Sequence, residues 1–232
     1  MRGQSTSFDR NTPDHALRCL KAAGRQSVWL IQRPGEALRT VKSWPVTPLM
    51  ALKMLLWQAQ PQRQLRGART LARLLINTPQ PIGRWRVRRD GWRLLVQIEL
   101  RFVPGRSALE MLHDGEVNEQ LGRRCGQQIG RIVRTLAGAG VLHRDLKLNN
   151  IVIAQPQAQP VVWVLDTVGV RPMMDRCRAL LRMFDRLLVQ ATDQPVTKQR
   201  WAWAPLLREA LADLSRPQRR AVLRQLRERH QP

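Results

Sequence analysis

Cysteine is scarce and badly placed for cross-linking: Cys19, Cys125 and Cys177 lie far apart, with no CxxC pair. An odd, dispersed set excludes a disulfide framework and a zinc site of the usual ligand spacing, and it fits a reducing compartment. Long apolar runs are missing too. No segment approaches the roughly 18 uncharged apolar residues of a membrane span, and the N-terminal MRGQSTSFDRNTPDHALRCL has no apolar core of signal-peptide length. A cytoplasmic protein is expected. Acid is the third shortage, with 17 Asp and Glu against 40 Lys and Arg, a net charge of +23. Such an excess implies a polyanionic neighbour: nucleic acid, an anionic membrane leaflet or a phosphorylated substrate. Repeats and long linkers are also absent, while an apolar content of 43% over 232 residues suffices for a real core.

What is present reads as strands first and helices later. Ser27 to Ile31 and Ala37 to Lys42 flank the turn Arg33 to Glu36 and predict an antiparallel hairpin. Thr47 and Pro48 suit the N-cap and first position of a helix that ends near Pro61, and a second helix is expected from about Gln62 to Leu75. After the breaker NTPQP, Arg84 to Arg89 and Trp92 to Leu100 flank Asp90-Gly91, a dipeptide suited to a tight hairpin turn. Ser107 and Glu110 have capping-box spacing, and a helix rich in Gly and Arg is expected from about Val117 to Ala137. From Met173 to Gln190 apolar residues recur at helical spacing, and the stretch from Trp201 onward is helical by pattern as well. Trp29, Trp85, Trp92 and Trp163 fall in the expected strands and are read as core or lobe-facing rather than as platforms for stacked bases, which makes nucleic acid the less favoured polyanion.

The chemistry concentrates in Val141 to Ile153, VLHRDLKLNNIVI, where a polar loop carrying Asp, Lys and Asn lies between a short apolar entry and a β-branched strand. A second strand, Val161 to Leu165, ends at Asp166. Asn150 precedes the first strand and Asp166 follows the second, so an antiparallel hairpin brings both to one open end. Two oxygen-bearing side chains there can share a hard cation such as Mg²⁺. Asp145, just upstream, would orient or deprotonate an attacking hydroxyl, and Lys147 would add positive charge beside a transferred phosphoryl group.

Val141 to Asn150 matches H-R-D-L-K-x-x-N, and with Val161 to Asp166 it resembles the catalytic and metal-binding loops of the protein-kinase-like superfamily. The resemblance implies an α+β, two-lobed fold in a single domain over 1–232, with a small sheet-bearing N-lobe over about 20–103 and a mainly helical C-lobe over about 104–232. It also implies Asp145 as catalytic aspartate, Lys147 as loop lysine, Asn150 and Asp166 as metal ligands, and ATP and Mg²⁺ as cofactors. Lys42 resembles the strand lysine that holds the α- and β-phosphates, and His143 takes a packing role. Within the superfamily, the strand pair ending in Lys42, the helix RGARTLARL before NTPQPIG, and the short exit from Asp166 resemble the lipopolysaccharide core kinases, which phosphorylate Kdo or heptose sugars.

Three departures bear on function. Thr167 and Val168 replace Phe and Gly after Asp166, no G-x-G-x-x-G precedes Ser27, and no acidic residue that could pair with Lys42 occurs before Asp90. An A-P-E motif is lacking, and a helix expected to begin at Met173 leaves no room for a long activation segment. A non-peptide acceptor is therefore favoured, with an anionic saccharide near a membrane also accounting for the charge. Arg171, Arg176 and Arg178 could meet acceptor phosphates or lie on solvated surface. The expected activity is phosphorylation of a sugar hydroxyl of the lipopolysaccharide inner core, with peripheral contact to an anionic inner membrane. Two readings stand beside it: an atypical protein or small-molecule kinase, and a non-catalytic kinase-like binder of anionic surfaces.

Overall fold

The computed structural model describes residues 13–23, 26–154, 159–192 and 200–230. The fold is α+β, as expected, and the chain divides into two compact units: Met1–Leu65 with Pro79–Phe102, and Arg66–Thr78 with Val103–Pro232.

The first unit holds β1 (Ala16–Ala23), β2 (Gln26–Ile31), β3 (Arg39–Pro45), β4 (Arg86–Asp90) and β5 (Arg93–Arg101), with α1 (Pro48–Leu55) and the start of α2 (Gln60–Arg73). The strands form one antiparallel sheet in the order β1-β2-β3-β5-β4. Alternation sets the two faces. Trp44, Ile98 and Leu100 pack with Leu65 on one, while Trp29, Ile31 and Val41 form a smaller cluster on the other. The β4–β5 turn is one residue later than expected, because Asp90 pairs with Arg93 and leaves Gly91 and Trp92 as the loop. Gly91 at φ +58° suits the first position of a type II′ turn. Trp92 at the tip is 79% exposed, so the expectation that it joins the core is corrected.

The second unit begins with the rest of α2 and contains β6 (Arg106–Ser107), α3 (Ala108–His113), α4 (Glu119–Gly138), β7 (Val141–His143), β8 (Ile151–Ala154), β9 (Val161–Val164), β10 (Val170–Pro172), α5 (Arg176–Thr192), α6 (Arg200–Ala210) and α7 (Arg216–His230). Its core joins Leu71 and Ile76 to Leu136, Leu142, Phe184 and Leu226 among others. The capping box of α3 is complete, with Ser107 accepting the Glu110 N–H and the Glu110 carboxylate accepting the Ser107 N–H. The glycines of α4 serve close packing. A Cβ on Gly126 would meet the Ala202 carbonyl at 2.3 Å, and one on Gly130 the Leu206 carbonyl at 2.5 Å, so α6 can approach α4 only because both lack side chains. α5 starts later than expected because Asp175 caps it, its carboxylate accepting the Arg178 N–H at 2.9 Å.

On the Val41 face of the sheet, Glu99 is the point where charge is balanced. Arg33 and Arg39 bond its carboxylate at 2.6 Å and 2.8 Å, and Arg86 is paired with it too. Burial first, then the charges of Arg33, Arg39 and Arg88, hold the Arg86 guanidinium below its usual pKa. Glu99→Ala would leave three guanidiniums facing one another, and the expected cost is about 3 kcal/mol in urea unfolding, falling at high salt as the repulsion is screened. An unchanged midpoint would show that the cluster contributes nothing to stability.

Candidate active site

The polar loop is held at both ends by backbone pairing. β7 runs antiparallel to β10 with His143 opposite Val170, and the Arg144 N–H donates to the Gly169 carbonyl at 2.9 Å. Gly169 must be bare here, since a Cβ would lie 2.9 Å from the Asp145 nitrogen. The loop then tightens: the Lys147 N–H donates to the Asp145 carbonyl at 3.0 Å and the Asn150 N–H to the Lys147 carbonyl at 2.9 Å, closing a 3₁₀ turn over Leu148–Asn150. Leu146 and Leu148 are buried in the core and act as pegs. The residues between them, Asp145 and Lys147, are half-buried and form an ion pair at 2.9 Å. Asn150 donates its side-chain N–H groups to the Asp145 carbonyl at 2.9 Å and to Asp145 Oδ2 at 3.3 Å. Asp145, Lys147 and Asn150 are thus one connected cluster.

Asp166 reaches the same end of the hairpin through the main chain. β8 and β9 pair with Ile151 opposite Val164, and the Leu165 N–H donates to the Asn150 carbonyl at 2.9 Å, one step past the ladder. Asp166 follows at once, and its Oδ1 accepts the Val168 N–H at 3.3 Å. The outer edge of β9 is closed by Asn77 and Thr78: the Val164 N–H donates to the Asn77 carbonyl at 2.9 Å, and Thr78 Oγ1 donates to the Val164 carbonyl at 2.8 Å. The sequence had marked NTPQP only as a breaker; nothing local signals a strand-edge partner 86 residues away.

Two further residues stabilise this corner. Gly67 on α2 lies against Thr167, which is fully buried, and a Cβ there would fall 2.0 Å from the Thr167 carbonyl oxygen. His143 is fully buried, and neither ring nitrogen has a hydrogen-bond partner of proper geometry. Burial holds its pKa below the ordinary value, although the nearby Asp166 main chain and the charges of Asp166 and Asp145 pull the other way. Neutral imidazole is the state that packs, in line with a structural role. Of the downstream arginines, Arg176 is engaged with Asp213 at 3.0 Å, whereas Arg178 is exposed.

In the first unit, Lys42 lies on β3 and is buried at 8% exposure. Helix α2 supplies an amide to it: Lys42 Nζ donates to Gln64 Oε1 at 3.3 Å, with Gln64 at 1% exposure.

The donor set suits a hard cation. Asn150 spends its N–H groups on Asp145, which turns its carbonyl oxygen into the group it can offer a metal, and Asp166 contributes a carboxylate. Among the described residues no three His, Cys, Asp or Glu side chains cluster, and a Mg²⁺ site completed by phosphate oxygens needs no such cluster.

A family model for the lipopolysaccharide kinase (Kdo/WaaP) family matches residues 53–205. That stretch takes in Gln64, Gly67, the Asp145–Asn150 loop and Asp166, and begins after Lys42. No curated protein matches the chain significantly.

Two outcomes test this corner. Ala normally stabilises a helix interior by about 1 kcal/mol over Gly, yet Gly67→Ala is expected to destabilise the protein by about 2 kcal/mol because of the Thr167 contact, as urea unfolding would read. A stabilised variant would rule the contact out. His143 contributes through its proton: with the folded pKa below the unfolded value near 6.5, the unfolded chain binds a proton the folded chain does not, so stability is full above that value and falls as pH drops beneath it. His143→Leu is expected to flatten the decline between about pH 6.5 and 5 by up to one proton's slope, about 1.4 kcal/mol per pH unit, in unfolding measured across that range. An unchanged slope would mean the ring protonates without penalty.

Proposed function

The chain belongs to the lipopolysaccharide kinase (Kdo/WaaP) family and is a kinase, and from that premise we propose that it transfers the terminal phosphoryl group of ATP to a sugar hydroxyl of the lipopolysaccharide inner core. The observation that carries the choice of acceptor is the shortness of the exit from Asp166. Only residues 167–175 lie between Asp166 and α5, and the turn, β10 and the Asp175 cap occupy most of them. A peptide kinase needs a segment here to order and to hold a polypeptide acceptor. A sugar presents its hydroxyl without one, and a phosphorylated, membrane-borne glycan is also an anion suited to a protein of net charge +23.

In this reading Asp145 accepts the proton of the acceptor hydroxyl as the oxygen–phosphorus bond forms and the bond to ADP breaks. Asn150 fixes the Asp145 carboxylate by the bond to Oδ2, and its grip on the Asp145 carbonyl sets the loop from which that carboxylate projects. Lys147, already 2.9 Å from Asp145 Oδ1, is placed to meet negative charge gathering on the phosphoryl oxygens. Asn150 and Asp166 would hold Mg²⁺, which would offset the negative charge of the nucleotide phosphates. Lys42 is the residue of the first unit assigned to the nucleotide phosphates, with the Gln64 amide oxygen accepting a hydrogen bond from its ammonium.

The test is transfer from radiolabelled ATP with Mg²⁺ to purified lipopolysaccharide core acceptors, beside a generic protein substrate. Label on the glycan that vanishes with Asp166→Ala is expected; label on protein alone would overturn the acceptor assignment. Asp145→Ala is expected to lower kcat by about 10²- to 10⁴-fold while nucleotide affinity moves little, and a variant that keeps wild-type turnover would remove Asp145 from proton transfer.

A further inference from the structure

Helix α1 is fastened on one side only. Thr47 accepts the Met50 N–H at its start, Gln62 Nε2 donates to the Met54 carbonyl at 2.8 Å near its end, and Met50 packs against the cluster of Trp44, Leu65, Ile98 and Leu100. No residue of α1 is buried. Its other side leaves Leu49 60%, Leu52 54%, Leu55 78% and Leu56 59% exposed, at the i, i+3, i+6 and i+7 spacing of a single helical face. Four neighbouring leucines held in water by a well-anchored helix are a surface waiting for an apolar medium.

The sheet extends that surface. The Val46 N–H donates to the Leu94 carbonyl at 2.7 Å, so the chain enters α1 beside the tip of the β4–β5 hairpin. Strand register puts Val87 and Leu94 on the same sheet face as Trp44 and Ile98, and both are exposed, as is Trp92 at the tip. Cations interleave with these apolar groups. Lys53 lies exposed on α1, Arg89 flanks the tip, and the Arg93 guanidinium stands 4.7 Å from the centroid of the Trp92 ring. Acid is scarce here: α1 carries no Asp or Glu, and the hairpin tip has Asp90 alone beside Arg89 and Arg93.

We propose that α1 and the β4–β5 tip form one docking surface for an anionic lipid bilayer. The leucines and Trp92 enter the boundary between headgroups and acyl chains, and Lys53, Arg89 and Arg93 meet lipid phosphates. Tryptophan and arginine side by side belong at such a boundary, where one end of each side chain is apolar and the other wet. A second copy is the wrong occupant: an isologous contact through this patch would bring Lys53, Arg89 and Arg93 against their own images, three cations a side to the one carboxylate of Asp90. A membrane-borne acceptor gives the surface its purpose, and to that extent the inference rests on the function proposed above. The docking itself depends only on the patch.

The test is sedimentation of the full chain with phosphatidylcholine vesicles, with and without phosphatidylglycerol. The wild type is expected to pellet with the anionic vesicles and to be released by salt, and each of Leu52→Glu, Leu55→Glu and Trp92→Ala to weaken that binding by about tenfold. All three positions are exposed, so the variants should keep their circular dichroism and their phosphorylation of a soluble, delipidated core oligosaccharide. Equal vesicle binding by wild type and variants would overturn the proposal, as would a wild-type dimer that the substitutions dissociate without any vesicle binding. A wild type that binds vesicles yet phosphorylates no oligosaccharide would keep the docking surface and count against the acceptor alone.

Discussion

A bare α-carbon on a helix is the contact on which the corner around Asp166 depends. Gly67 lets α2 press against the Thr167 carbonyl, one residue beyond Asp166. The same helix leads into Asn77 and Thr78, which close the free edge of β9. Asp166 therefore leaves a strand that is paired on one side by β8 and on the other by the α2 connection, and then turns under a helix that has no side chain in the way. Each of these restraints is backbone-to-backbone or nearly so, which makes the position of the carboxylate insensitive to most side-chain changes around it.

The loop that faces Asp166 is built on the same economy. Its polar residues alternate with Leu146 and Leu148, so burying the leucines in the core turns Asp145 and Lys147 the other way. Gly169 admits the Asp145 backbone as Gly67 admits Thr167, and both glycines lie where a methyl group would collide with main chain. His143 completes the support as an uncharged filler beneath two carboxylates, a place where a charged ring would be costly to desolvate.

Most of this corner was legible because it is local. VLHRDLKLNNIVI carries its loop, its pegs and its strand within 13 residues, and the capping signals at Thr47 and Ser107 each need only three more. What escaped was long-range. β1 was missed because it is an edge strand with two register irregularities, and basic residues interrupt its apolar pattern. Gln64 escaped because an uncharged amide offers no charge to search for, and Asn77 and Thr78 because a strand-edge partner declares itself only once the strand is in place. Trp92 was misread for a related reason: a shift of one residue in the turn moved it from strand to tip.

The brief passage from Asp166 to α5 has a consequence for control. Enzymes that are switched by covalent marks carry a pliable stretch at this point, which one state orders and another releases. Here the passage is nine residues long, and a turn, β10 and the Asp175 cap occupy most of it. So short a span leaves little chain for a covalent mark to rearrange between the strand that delivers Asp166 and the helix that follows.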